Sequence, residues 1–380
     1  MLKQQKIFFD FLRFCIGSAK EIPDSLKEAD WKELYAIAKM QALLGVLFHG
    51  IRRLPKELAP EQKLLMQWMV MAEQIRKQNI RLFLDSVKVC KNFENKGFAN
   101  CILRGQGNAL LYPDPYMRTP GDIDIYLEGG RKRVMEYVNK VCPNQVIRYH
   151  HVDFPVMNAA IEVHFTPSYM FYPIHNSRMQ KWFKEVMDLQ CSNVVTLPDG
   201  YGEITVPTTS FNVVYILSHL YRHVFTEGIG LRQFLDYYFV ICDFHKVYQN
   251  SSNHPVPLSK EGSTSHPSPL SSEERDVTAL RCSEPLRSKD GGPSKVSPNC
   301  AGWDRQDVSG DTATTASPSS AALDRVQKEL KHLGLWKFAQ AVMFVMKEVF
   351  GLSEDRMIAP MDEREGRFLL DEIMQGGNFG

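Results

Sequence analysis

The stretch from Leu103 to Leu127 constrains the fold more than any other part of the chain. Phe98–Leu103 is a short apolar run that predicts a buried strand. Gly105, Gly107, Pro113, Pro115, Pro120 and Gly121 then punctuate a loop around a short helical segment, Ala109–Tyr112. Ile123, Ile125 and Leu127 alternate with Asp122, Asp124 and Tyr126, the pattern of a half-buried strand. Residues i and i+2 of a strand share a face, so Asp122 and Asp124 project together with Cα atoms about 6–7 Å apart. Two carboxylates on one face suit Mg²⁺, which takes a few carboxylates together with water and phosphate oxygens.

The surroundings of this stretch differ in texture. Residues 1–95 carry helical periodicity. An amphipathic N-terminal segment contains Phe8, Phe9, Phe11 and Phe14, and Asp30 is placed to cap a second helix. A long helix is predicted over about 61–94. After the Asp-x-Asp strand, Arg131–Val141 reads as a helix, and Val146–Val152 and Ala159–Phe165 read as strands. Helices follow at Arg178–Leu189, Thr209–Phe225 and Leu231–His245, and helical periodicity returns over Leu323–Phe350. Ser and Pro dominate between. Such composition buries too little apolar surface to offset chain entropy, which predicts a disordered insertion over 249–322. The expected divisions are 1–95 helical, 96–207 core, 208–248 helical, 249–322 insertion and 323–380 helical.

Composition narrows the function classes. Apolar residues make up 44% of 380, enough for a sizeable core. Lys and Arg number 45 against 44 Asp and Glu. The net charge of +1 argues against a protein that coats nucleic acid, although Arg131, Lys132 and Arg133 form a local basic run. No two of the eight cysteines have C-x-x-C spacing, and no apolar stretch is long enough to span a membrane, so the expectation is a reduced, cytoplasmic protein.

The candidate site extends beyond the aspartate pair. Glu162 lies between apolar Ile161 and Val163 on a later strand; pairing that strand beside the first would bring three acids together, a set suited to two metal ions. Gly105 and Gly107 allow close backbone approach to a ligand, and a helix starting after Gly107-Asn108 would turn free N–H groups toward phosphate. Arg118 is the first candidate for a bidentate phosphate contact and Arg104 the second. Alone, an Asp-x-Asp strand is usually a solvated edge and Gly-x-Gly a simple turn; the combination carries the signal.

Gly107-Asn108, a spacer of thirteen residues and Asp122-Ile-Asp124-Ile resemble the signature of the DNA polymerase β-like nucleotidyltransferase superfamily. Leu103-Arg-Gly-Gln-Gly, Leu111-Tyr-Pro-Asp-Pro, Arg118, Ile161-Glu-Val-His-Phe, His219-Leu-Tyr-Arg-His223 and Gly230-Leu-Arg-Gln-Phe-Leu-Asp236 are similar to blocks of a poorly characterised bacterial family within it. The resemblance covers most of 25–245 and 323–380. It implies an α+β fold with a mixed β-sheet and flanking helices. It also implies a site in which Asp122, Asp124 and Glu162 hold Mg²⁺ (or Mn²⁺). There an acceptor hydroxyl would attack the α-phosphorus of an NTP and release pyrophosphate. Asn108 stands where the superfamily has Ser or Gly, and Arg104 where the close family has Lys; both touch phosphate binding. Gly376-Gly-Asn-Phe-Gly380 resembles a block that other members continue past, which implies a truncated chain. The acceptor is left open among small molecule, protein and RNA.

Other polar residues carry weaker signals. His219 and His223 are one helical turn apart but lack the zincin Glu, which favours a satisfied helix face over zinc. His150, His151 and Asp153 read as a plain loop at a strand end, His164 as a neighbour of Glu162, and Arg232–Asp236 as an ion pair across one helical turn. A glycosyltransferase is disfavoured because those enzymes begin with a nucleotide-binding α/β half. A degenerate copy that binds nucleotide or protein without turnover is the second reading.

Overall fold

The computed structural model describes residues 3–157, 159–250 and 318–376. Helices α1 (Lys3–Ile16), α2 (Trp31–Met40), α3 (Leu44–Ile51) and α4 (Gln62–Glu94) come first. Asp30 caps α2 as expected, its carboxylate accepting from the amides of Lys32 and Glu33. The sheet region follows: β1 (Asn100–Ile102), α5 (Gln106–Ala109), β2 (Ile123–Leu127), α6 (Gly130–Val141), β3 (His151–Asp153) and β4 (Ile161–His164). Then come α7 (Pro173–Gln190), a hairpin of β5 (Val194–Thr196) and β6 (Glu203–Thr205), and helices α8 (Thr209–Thr226) and α9 (Leu231–Asn250). The last elements are α10 (Pro318–His332), α11 (Trp336–Phe350) and α12 (Glu363–Gly376).

The sheet is mixed, with order β1-β2-β4-β3. β2 and β4 are parallel with Asp124 opposite Glu162, and both outer pairings are antiparallel. The fold is therefore the expected α+β type. Two apolar cores support it. A helical core gathers Phe8, Phe11, Leu47, Tyr215, Phe234 and Phe344 from α1, α3, α8, α9 and α11. The second lies under the sheet and takes Ile123, Ile125, Val163, Val134 and Phe154. Helix α4, about 50 Å long at 33 residues, joins them. Its first half gives Trp68 and Ile75 to the helical core; its second gives Leu82, Phe83, Val89 and Phe93 to the sheet core.

Several expectations need correction. The short helix spans Gln106–Ala109 and not Ala109–Tyr112. Gly105, at φ +61°, precedes it, and the Ala109 amide donates to the Gly105 carbonyl, so the first turn closes three residues earlier. The Leu323–Phe350 periodicity is two helices, broken at Leu333-Gly334-Leu335 by a glycine at φ +75°. The β5–β6 hairpin has no counterpart in the sequence reading. The expected insertion lies outside the described residues except at its edges. There 249–250 complete α9, and 318–322 open α10 with Pro318 in the first turn, where a missing N–H costs little. The Gly377–Gly380 block also lies outside them. Among the described residues, no helix is long and apolar enough to cross a membrane.

Candidate active site

The acids meet where β2 begins. Leu103 leaves β1 by donating its amide to the Asp124 carbonyl, which carries Arg104 onto the site. Arg104 Nη2 lies 2.6 Å from Asp124 Oδ2, and its Nη1 donates to His219 Nε2 from α8. His164 shares a face of β4 with Glu162 and donates from Nε2 to Asp124 Oδ1 at 2.9 Å, with Glu162 Oε2 3.6 Å away. His151 Nδ1 of β3 lies 3.1 Å from the same Glu162 oxygen. The segment expected as a plain loop thus forms strand β3 from His151 to Asp153, with His150 just before it, and both histidines are buried beside the acids. Pairing with β4 explains the difference, since it sets Asp153 opposite Glu162 and His151 opposite His164.

The charges of the acid pair diverge. Burial works against charge on Asp124, yet the Arg104 guanidinium and the His164 ring hold it well below the usual carboxylate range. Asp122 forms no ion pair or side-chain hydrogen bond among the described residues, and the Asp124 charge, then burial, push it up to about 6. Glu162 pushes in the same direction, against Arg104. His164 is raised above its ordinary value because Asp124 and Glu162 outweigh burial. Burial lowers His151 to about 4, and it holds His150 and His219 below their ordinary range.

The loop into Asp122 is clamped from three sides. Asn79 Nδ2 of α4 donates to the carbonyls of Tyr116 at 2.8 Å and Arg118 at 2.7 Å. Thr119 Oγ1 donates to the Ala42 carbonyl at 2.6 Å. Arg118 Nε and Nη2 each lie 2.8 Å from Asp236 on α9, whose carboxylate also accepts from the Tyr112 hydroxyl at 2.7 Å. The guanidinium expected on phosphate is therefore engaged by a buried carboxylate, and the arginine that reaches the acids is Arg104. The expected Arg232–Asp236 pair does not form among the described residues. Arg118 and Tyr112 take the Asp236 oxygens, and Arg232 donates to the carbonyls of Thr119 and Pro120, both at 3.3 Å. His219 and His223 are not a shared metal pair either: His219 accepts from Arg104 and His223 Nδ1 lies 3.1 Å from Glu227.

Gly105 adopts a backbone conformation that disfavours any side chain. A Cβ on Gly107 would meet Val206 Cγ1 at 2.9 Å, so the small residue lets the α5 turn pack on the strand leading to α8. Asn108 is buried and lines a cavity of about 300 Å³ beside Arg104. Sequence reasoning missed Asn79, whose signal is its place on the buried stripe Trp68, Ala72, Ile75, Asn79, Leu82, Ser86. It also missed Ser86, whose hydroxyl donates to Gln106 Oε1 at 3.3 Å.

Among the described residues, three groups bring potential metal-ligand atoms within 4.8 Å of one another: Asp124, Glu162 and His164; His150, His151 and His164; and His151, Asp153 and Glu162. Asp122 is in none of them, and it senses Asp124 and Glu162 through charge. The donor set still fits a hard divalent cation. Two carboxylates face each other across paired strands, a third is destabilised by their charges, and the bonds to Asp124 leave each oxygen a second lone pair.

Residues 27–250, more than half the chain and every residue of the site, match the family described as uncharacterised nucleotidyltransferase. The chain belongs to that family. No curated protein and no solved structure matches it. Membership supports nucleotidyl transfer as the general chemistry.

Proposed function

We propose that the protein transfers a nucleotidyl group from an NTP to a hydroxyl-bearing acceptor, with Asp122, Asp124 and Glu162 holding Mg²⁺. The observation that carries this reading is the meeting of the acids on paired parallel strands, Asp124 opposite Glu162 and Asp122 just before β2. Asp122, raised to about 6 by the Asp124 charge and by burial, has no side-chain hydrogen bond or ion pair among the described residues, so the cluster favours an added cation. When bound, the cation supplies neutralisation of phosphate charge and acidification of a coordinated hydroxyl.

The chain's own residues do the rest. The Gly105–Asn108 turn and Arg104 bind and orient the triphosphate. His164 and Arg104 keep Asp124 ionised. Glu162, beside His151, takes the proton of the acceptor hydroxyl as its oxygen bonds to the α-phosphorus, the α–β bridging bond breaks and pyrophosphate leaves. Asn79, Arg118, Asp236 and Arg232 hold the loop that aims Asp122.

The test is Mg²⁺-dependent NTP binding by calorimetry, together with pyrophosphate release, on the full chain and on Asp122→Ala/Asp124→Ala. Binding and release that both vanish in the variant support the reading; unchanged Mg²⁺-dependent binding sinks it. One observation favours a second reading. Arg104 and His164 together already neutralise Asp124, which suits a protein that binds nucleotide without turnover. Binding without pyrophosphate release for any acceptor tried would favour that reading.

A further inference from the structure

The cavity of about 300 Å³ adjoins the acids without containing them. It lies between the end of β1, the α5 turn, the strand before α8, and α9. Its size is at the lower end of the about 300–1,000 Å³ typical of small-molecule pockets. Leu110 and Val206 give it apolar walls. Arg104 is its one cationic residue among those described, and that guanidinium is turned to Asp124 and His219. A molecule in the cavity therefore ends one side chain away from the acids.

Two of the polar side chains that line the cavity keep an acceptor oxygen open among the described residues. Asn212, on the first turn of α8, is 7% exposed, and its Oδ1 has no hydrogen-bond partner. A buried acceptor in that state costs free energy that a ligand N–H would recover. Asp243 of α9 accepts from Thr209 Oγ1 through Oδ2, and its Oδ1 makes no hydrogen bond or ion pair among the described residues. An amide oxygen and a free carboxylate oxygen, with apolar walls, select a flat ligand that presents adjacent donors.

We propose that this cavity holds the base of the nucleoside triphosphate and selects guanine. The proposal rests on the nucleotidyl-transfer reading above. Guanine presents N2–H₂ and N1–H side by side, the first for the open Asp243 Oδ1 and the second for the unpartnered Asn212 Oδ1. Adenine and cytosine place a ring acceptor beside their single amine, and uracil flanks one N–H with two carbonyls. Each of those would turn an acceptor toward one of the two open oxygens, which discriminates as strongly as a missing hydrogen bond.

The experiment titrates the full chain, in Mg²⁺, with α,β-non-hydrolysable analogues of guanosine, inosine, adenosine and uridine triphosphates and with inorganic triphosphate. Inosine differs from guanosine only by the N2 amine. The guanosine analogue should bind about 10- to 100-fold tighter than the inosine one, the worth of a hydrogen bond to a charged group. Asp243→Asn should erase that difference, and Asn212→Leu should weaken both analogues together. Inorganic triphosphate should bind the wild type and both variants equally, which also certifies that the variants are folded. Equal affinity for all four bases in the wild type, or a guanine preference that survives both variants, overturns the proposal alone. Failure of folded wild type to bind any triphosphate, inorganic included, overturns the nucleotidyl-transfer reading and this proposal with it.

Discussion

Asp122 is held beside two like charges with no ion pair of its own among the described residues. Its carboxyl titrates near 6 in the folded chain, against an ordinary value of 3.8. Between about pH 4 and 6 the folded state therefore binds more protons than the unfolded one, and this group's contribution to stability falls as pH rises. Above about 6 the cost is complete. Asp122→Asn should then be more stable than wild type at pH 7 by on the order of 2–3 kcal/mol in metal-free buffer. The difference should shrink below pH 6 and vanish near 4, as read by urea denaturation across that range. Asp124 has the opposite sign, since its lowered pKa gives stability that is lost as pH falls below the usual carboxylate range. Added Mg²⁺ should raise the melting temperature of wild type and leave Asp122→Asn unmoved; equal shifts in both would separate Asp122 from the cation. At this scale the acids were legible because an i, i+2 pair on a strand shares a face. The partner of Arg118 was not: Asp236 lies 118 positions away, and only packing of α9 on the loop brings them together.

Helices contribute to the site through the polar interruptions of their buried stripes. Asn79 replaces an apolar residue on α4 and offers one side-chain nitrogen to two loop carbonyls. Asn79→Ala should cost about 1–3 kcal/mol, the range for stranding buried acceptors. It should also weaken Mg²⁺-dependent NTP binding although Asn79 touches no ligand. Loss of stability with unchanged nucleotide affinity would show that the loop keeps its course without it. The Arg118–Asp236 pair behaves differently because both ends are buried. Arg118→Met alone should cost about 3–5 kcal/mol by leaving a buried carboxylate unpaired, and Arg118→Met/Asp236→Leu should recover much of that loss. A denaturant double-mutant cycle measures the coupling; additive costs would mean that the pair does not act as a unit. Elements with long periodic stripes, such as α4 and α8, were legible in the sequence. The β5–β6 hairpin was not: Val194 and Thr196 are exposed and only Val195 is half-buried, so three residues carry no pattern. The start of α5 was misplaced because a glycine conformation, and not a side-chain cap, sets it.

At the scale of the molecule, the sheet does not carry the site alone. Residues 96–207 contain all three acids and Arg104, yet the loop before Asp122 is fastened to Ala42, Asn79, Arg232 and Asp236, and Arg104 leans on His219. The sheet core is completed by Leu82, Phe83, Val89 and Phe93 of α4, whose other half is buried in the helical core. Helix α4 thus transmits order from one core to the other, and the local periodicity that identified it could not reveal this double burial. A fragment of 96–207 lacks those four apolar side chains, so it should show no cooperative unfolding transition and bind no Mg²⁺-triphosphate. Trp68 tests the same coupling in the intact chain. It is fully buried in the helical core, and its indole N–H donates to the Leu44 carbonyl at 2.8 Å, far along α4 from the acids. Trp68→Ala should lower global stability by about 3–5 kcal/mol. If the cores are one cooperative unit, hydrogen exchange at the buried strand residues Ile102 and Ile125 should accelerate by the same free energy as amides in α1 and α3. Acceleration confined to α1 and α3 would show that the sheet and its acids keep their order without the helical core.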